Sequence, residues 1–152
     1  MGYVEELRAI VGHRPLILVA GVVMVFDHAG RLLLIQRTDD GLWGLTGGLM
    51  EPGETVEDTA RRELWEEVGL RAGKLDFVGV FSGPDMFHVY PNGDQAHPVA
   101  VVYSAPHPGG ELRLDPAEAQ QARFFALDAL PRRIRASTFK CIERWRQTAA
   151  HG

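Results

Sequence analysis

The chain has 152 residues, with 20 acidic against 16 basic side chains and a formal net charge of −4. It has no Lys/Arg-rich run, which argues against generic binding to duplex nucleic acid. Cys141 is the only cysteine, which excludes an internal disulfide and fits a reducing compartment. The longest apolar run, around residues 16–26, is too short to span a membrane, and Met1-Gly2-Tyr3 does not open a signal peptide. The expectation is one cytoplasmic domain over residues 1–152, long enough for a sizeable core.

Val4, Leu7 and Ile10 recur at helical spacing over residues 3–11, ahead of Gly12 and Pro15, and predict a short amphipathic helix. It either caps the core or pairs two copies into a homodimer. Residues 16–26 are a β-branched run with few charges and predict a strand buried on both faces. Asp27-His28-Ala29-Gly30 turns the chain, and residues 31–37 return as a second strand. A Gly-rich loop follows, Gly41-Leu42-Trp43-Gly44-Leu45-Thr46-Gly47-Gly48, then Met50-Glu51-Pro52-Gly53-Glu54. Its glycines let backbone approach a ligand without side-chain obstruction. No Gly-Lys-Ser/Thr follows it, so it is not a P-loop.

Thr55 is the candidate N-cap of the next helix, with Asp58 three residues on, and Gly69 is its candidate C-cap. Residues 75–81 predict a strand, and 86–91 with 95–104 a long hairpin about Asn92-Gly93. Residues 106–110 predict a loop and 123–127 a final strand. Phe139, Ile142 and Trp145, spaced by three, predict a closing helix over 136–149. Strands with helices before, between and after them predict an α/β/α sandwich.

The middle helix carries the chemistry. Val56, Ala60, Leu64 and Val68 form an apolar stripe that faces the core, and Glu63, Glu66 and Glu67 crowd one side of the same helix near its C-terminal end. Each like-charge pair costs about 0.2–0.5 kcal/mol, and each acid near a helix C-terminus about 0.3–1 kcal/mol. Glu57 and Asp58 can pair with Arg61 and Arg62 four residues on, and Glu66 competes for Arg62. No basic residue lies one turn from Glu63. A solvated acidic face is the bland explanation, but Glu63 and Glu67 border the apolar stripe. A bound divalent cation explains the cluster better. Hard oxygen donors favour Mg²⁺ or Mn²⁺. Seven acids against two arginines between Glu51 and Gly69 would also repel a polyphosphate unless such an ion reversed the local field. The six histidines show no pairwise spacing suited to zinc.

Gly48, Glu54, Arg62, Glu63, Leu64, Glu66, Glu67, Gly69 and Leu70 fill every fixed position of the signature of the Nudix hydrolases, and the chain resembles that MutT-like family over about residues 16–134. The resemblance implies a Nudix-type α/β/α sandwich with a central mixed sheet. It implies that Glu66 and Glu67 are metal ligands, that Gly47 offers its backbone carbonyl, and that Glu63, oriented by Arg62, is a ligand or the general base. Gly48 and Glu54 would brace the loop, Glu54 by pairing with Arg62 or by binding metal. Thr46 stands where the family often has Pro.

Glu118, ahead of Arg123-Phe124-Phe125, matches the place from which many members bring a further glutamate to the metal or to water; the alternative is a solvated acid on a short helix. Arg37 is a candidate phosphate or ribose contact, and Tyr90, beside the Asn92-Gly93 turn, a candidate stacking residue. Trp43 and Trp65 read as packing anchors, and Cys141 as a small buried hydrophobe. The implied reaction is hydrolysis of the diphosphate linkage of a nucleoside diphosphate joined to another moiety: ADP-ribose, a nucleotide sugar or a dinucleoside polyphosphate. Partners would be such small molecules, with neither nucleic acid nor membrane. One alternative is a nucleoside triphosphate pyrophosphohydrolase that cleans the nucleotide pool. A non-catalytic nucleotide sensor is disfavoured by the complete acidic set, and an isoprenoid diphosphate isomerase by the distance of Cys141 from the loop.

Overall fold

The computed structural model describes residues 2–151. In chain order the elements are α1 (Tyr3–Val11), β1 (Leu16–Phe26), β2 (Leu32–Arg37), β3 (Trp43–Gly44), β4 (Thr46–Leu49), α2 (Val56–Val68), β5 (Asp76–Phe81), a 3₁₀ turn (Pro84–Met86), β6 (His88–Val89), β7 (Gln95–Pro106), β8 (Ala119–Phe125) and α3 (Ala136–His151). The strands form one mixed sheet with the path β3-β2-β1-β7-β5; β4 joins β1, β6 joins β7 and β8 joins β2. No described helix is long and apolar enough to cross a membrane.

The period of two in β1 and β2 builds both layers at once. Val23 and Val25 of β1 and Leu33 and Ile35 of β2 point to one face, where they meet Ala60, Leu64 and Val68 of α2. Met24, Leu32 and Leu34 point to the other and meet Cys141, Ile142 and Trp145 of α3. Trp145 stacks on Phe26 with ring centroids 4.3 Å apart. The sandwich is therefore the expected one. The predicted burial of residues 16–26 on both faces fails at the start, where Ile17 is 77% exposed beyond the end of either covering helix.

Long-range pairing reshapes several expected elements. The β1–β2 hairpin pairs only at Phe26↔Leu32. The rest of that edge of β1 is taken by β4, with Ala20–Val23 opposite Leu49–Thr46. Half of the expected Gly-rich loop is thus strand, and Thr46 is anchored there by its hydroxyl, which donates to the Val23 carbonyl at 2.9 Å. The other edge of β1 runs parallel to β7 from Leu16↔Ala96 to Phe26↔Pro106. The last strand begins four residues earlier than expected because β8 follows β2 to its end, from Leu32↔Phe125 to Arg37↔Ala119, across a bulge between Gln36 and Arg37. The 86–91 arm shrinks to His88–Val89, since Pro84–Met86 close a 3₁₀ turn.

Glycine sets how closely α2 docks on the sheet. A Cβ on Gly21 would lie 2.7 Å from the Val56 carbonyl and 2.9 Å from the Ala60 amide. These are backbone atoms of α2 and cannot swing aside. Gly21→Ala is expected to cost roughly 1–3 kcal/mol, the usual cost of overpacking, read as a lower denaturation midpoint.

Candidate active site

α2 is placed by its ends and its stripe. Thr55 caps it by accepting from the Asp58 amide at 3.1 Å, and Gly69 closes it in the left-handed region, at φ 72° and ψ 24°. With Ala60, Leu64 and Val68 seated in the core, Glu63 and Glu67 are directed onto β4. Glu67 is 1% exposed. Its Oε1 accepts from the Gly47 amide at 2.8 Å. Its Oε2 is buried without a hydrogen-bond partner, and the nearest cation is Arg37 Nη1 at 3.7 Å. Burial, then the neighbouring Glu63 charge, push the Glu67 carboxyl up to about 8 against an opposing hydrogen bond from Gly47.

Glu63 lies over Gly48 so closely that a Cβ there would come within 2.3–2.6 Å of its carboxylate. Any larger residue at that position would push the Glu63 carboxylate out of its place. Burial raises the Glu63 carboxyl as well, opposed by Arg62.

Arg62 holds the acids in place. Its Nε and Nη2 grip Glu54 at 2.7 and 3.0 Å, Nη2 also reaches the Leu49 carbonyl at 3.0 Å, and Nη1 reaches Glu63 at 2.9 Å and Glu66 at 3.2 Å. Of the expected i,i+4 pairs, Arg62–Glu66 forms, but Glu57–Arg61 and Asp58–Arg62 do not. Arg61 instead donates to the Gly73 carbonyl at 2.8 Å, and Glu57 accepts from the Tyr103 hydroxyl at 2.5 Å. Glu63, expected to lack a cation, takes its sequence neighbour. Arg62 holds the Glu54 carboxyl down at about 2, and Glu54 in turn accepts from the Glu51 amide at 2.8 Å. The loop is thereby braced to the helix.

Glu118 stands in a turn, not on a helix. The turn is fixed to the end of β2 by the Thr38 amide donating to the Glu118 carbonyl at 3.1 Å and the Thr38 hydroxyl donating to the Pro116 carbonyl at 3.1 Å. Burial raises the Glu118 carboxyl, assisted by Asp115 and Glu66. Glu63, Glu67, Glu118, Arg37 and Tyr90 all line one cleft of about 640 Å³. Glu66, expected beside them as a metal ligand, is not among the lining residues: its side chain is 44% exposed and bonded to Arg62. Tyr90 is half-buried, its ring edge-on to His88 at 4.4 Å.

Three features escape sequence reasoning. Arg135, ion-paired to Asp40 at 2.7 Å, lines the cleft, as do Val4 and Glu5 of α1; no motif marks any of them. Trp65 is no packing anchor. It is 41% exposed and covered by the Arg71 guanidinium, 4.1 Å from the ring. Trp43 does anchor the core, edge-on to Phe125 at 4.9 Å, and Cys141 is buried, its thiol pushed up to about 12.

The donor chemistry suits a hard divalent cation. Among the described residues no three His, Cys, Asp or Glu side chains converge as a ready-made cluster, because Arg62 and the Gly47 amide engage the glutamates. The buried, unpartnered Oε2 of Glu67 is nonetheless an oxygen donor lacking a cation, and Glu63 and Glu118 carry raised carboxyls beside it.

One mixed sheet lies between helices, with the glutamates of α2 laid against the glycines of β4. The NUDIX domain model matches residues 15–145. The chain is 33% identical over 116 residues to an NAD-capped RNA hydrolase of Chromobacterium violaceum, covering 74% of this chain and 40% of that protein. It is 34% identical over 121 residues to an ADP-ribose pyrophosphatase of Methanocaldococcus jannaschii, covering 78% and 66%. The crystal structure of a MutT NUDIX hydrolase from Burkholderia pseudomallei superposes with a TM-score of 0.71 at 32% identity, covering 86% of this chain and 98% of that one. The chain belongs to the Nudix hydrolase family, whose members generally use a divalent metal.

Proposed function

We propose that the protein hydrolyses the diphosphate linkage of a nucleoside diphosphate joined to a second moiety, with ADP-ribose the leading candidate, in a reaction that needs Mg²⁺ or Mn²⁺. The observation that carries this reading is the buried, unpartnered Oε2 of Glu67 in a cleft shared with Glu63, Glu118 and Arg37. Glu66, Glu67 and the Gly47 carbonyl would hold the ion, with Glu63 and Glu118 as further ligands. When bound, such an ion neutralises phosphate charge and acidifies water. Arg37 binds a phosphate oxygen, being the cation that already faces Glu67. Arg62 holds Glu63 in place through the Nη1 bond. Glu63 or Glu118 takes the proton from the attacking water; a carboxyl raised by burial is suited to that work near neutral pH.

Glu118→Gln is expected to lower kcat by about 10–100-fold with KM nearly unchanged, the pattern of an interaction made mainly in the transition state. Parental kinetics across pH would make Glu118 a surface acid and leave Glu63 as the base.

The M. jannaschii relative, named for ADP-ribose, favours a two-part substrate, and the cleft runs from the acids to Tyr90. The test is a product-release screen with Mg²⁺ and Mn²⁺ over ADP-ribose, nucleotide sugars, dinucleoside polyphosphates and nucleoside triphosphates. ADP-ribose or another two-part compound should be hydrolysed fastest, and Tyr90→Ala should raise its KM. A preference for one triphosphate, with Tyr90→Ala silent, would support the pool-cleaning reading that the MutT likeness favours.

A further inference from the structure

The family match begins at residue 15, yet the segment before it forms part of the cleft, where Gly2, Val4 and Glu5 are lining residues. No residue of α1 is fully buried; Val4, Leu7 and Val11 are half-buried. A nine-residue helix is too short to persist alone in water. Its polar attachments fall on the two loops that flank the cleft.

At its start, the Tyr3 amide donates to Glu51 in the signature loop at 3.2 Å. Near its end, Arg8 donates to the carbonyls of Gly12, Arg14 and Gln95, with its Nε 3.7 Å from Asp94. Asp94 also bonds the His13 ring at 2.7 Å, and the Gln95 amide donates to the His13 carbonyl at 3.2 Å. The turn held in this way is the one that carries Tyr90: the Tyr90 amide donates to the Asp94 carbonyl at 2.8 Å, and the Gly93 amide to the Tyr90 carbonyl at 2.9 Å.

We propose that α1 is a substrate-holding wall of the cleft, and that Arg8 is the positioning residue that seats it. The part of the substrate beyond the diphosphate then closes between Val4 and Glu5 on one side and Tyr90 on the other. This rests on the hydrolase reading above. Arg37, Glu63, Glu67 and Glu118 all lie outside α1, so losing the wall weakens binding and leaves the chemical step in place.

The test uses full-length parent, Arg8→Ala and Arg8→Lys, with steady-state kinetics on ADP-ribose and hydrogen exchange with and without it. In Arg8→Ala the amides of residues 3–11 should exchange at the rate of an undocked helix while those of 56–68 keep parental protection. KM should rise about tenfold with kcat within about twofold. Lys keeps the charge but not the planar fork that reaches carbonyls on separate segments, so Arg8→Lys should fall between. Adding ADP-ribose should slow exchange in residues 3–11 of the parent.

Released amides with a parental KM would overturn the wall, and unchanged exchange in Arg8→Ala would overturn Arg8 as its anchor. A parent that turns over no diphosphate compound fails the hydrolase reading. A parent active on ADP-ribose whose KM is matched by Arg8→Ala fails the wall alone.

Discussion

Glu67→Gln is expected to abolish most turnover and, at pH 8 without metal, to yield a protein at least as stable as the parent. The two effects share one cause. Glu67 is buried, and one of its oxygens has no partner. Its carboxyl sits near 8 in the fold against an ordinary 4.5. A folded value raised above the unfolded one means that the stabilising contribution of the protonated acid is fully present below about 4.5 and is lost as pH rises through about 8. At about 1.4 kcal/mol per pKa unit, the rise from 4.5 to about 8 sets an upper limit of about 4–5 kcal/mol on the cost of the charged form by pH 8.

Glutamine keeps an oxygen for the Gly47 amide but leaves a buried amide group without a partner, which costs about 1–3 kcal/mol. The variant should therefore melt level with the metal-free parent or about 2–4 °C above it at pH 8, and at or below it at pH 5. Added Mg²⁺ should raise the melting point of the parent more than that of the variant. Turnover should fall roughly a thousandfold, since a liganding charge supports several kcal/mol of transition-state stabilisation. Unchanged turnover in saturating Mg²⁺ would sink the assignment.

Arg62→Ala should fail in both respects, losing stability and activity together. It removes five hydrogen bonds at once and leaves Glu54, Glu63 and Glu66 facing one another without their shared cation. Charge-assisted bonds are worth about 1.5–3 kcal/mol each when not duplicated. The shared, partly solvated network should lose about 2–4 kcal/mol in all, or about 5–12 °C in melting temperature. The pH dependence identifies the Glu54 pair. Glu54 is held at about 2, below its ordinary 4.5, so its stabilisation is present above about 4.5 and lost as pH falls toward 2. The acid side of the stability profile should therefore be steeper in the parent than in the variant, which keeps only the carboxylates held low elsewhere, such as Asp27 and Asp94. Turnover should drop by about a hundredfold or more, because a misplacement of about 1 Å at a catalytic group costs that much. A variant with parental acid stability would show that Glu54 does not depend on Arg62.

α2 was legible because everything that defines it is local. Thr55, the stripe through Ala60, Leu64 and Val68, and Gly69 lie within one helix length, and the caps act on adjacent turns. Only one of its charge partners was legible by the same rule, Glu66 four residues beyond Arg62. The i,i+4 spacing offered Asp58 to Arg62, whereas the fold brings Glu54 back over the helix and turns Arg62 toward it. β3 and β4 hid in a run that looked like loop, because glycine disfavours strands until a neighbour such as Gly21 or Val22 of β1 demands close approach. α1 was recognisable as a helix from Val4, Leu7 and Ile10, but its place beside the cleft depends on Gln95 and Asp94, far along the chain. The turn at Glu118 likewise owes its position to Thr38.

The parallel ladder between β1 and β7 sets when the cleft can first exist during synthesis. Leu16 pairs with Ala96, a separation of 96 − 16 = 80 residues, and pairing across such spans is slow because the loop must close before any contact rewards it. A ribosome adding about 5–20 residues per second needs roughly 4–16 s to make that interval. Throughout it Val22, Val23 and Val25 lack their partners on β7, and Glu67 has no completed sheet to be buried against. The nascent chain thus carries an unsatisfied, β-prone edge well before it has a site, and chaperone demand should fall most steeply once residue 106 has left the exit tunnel.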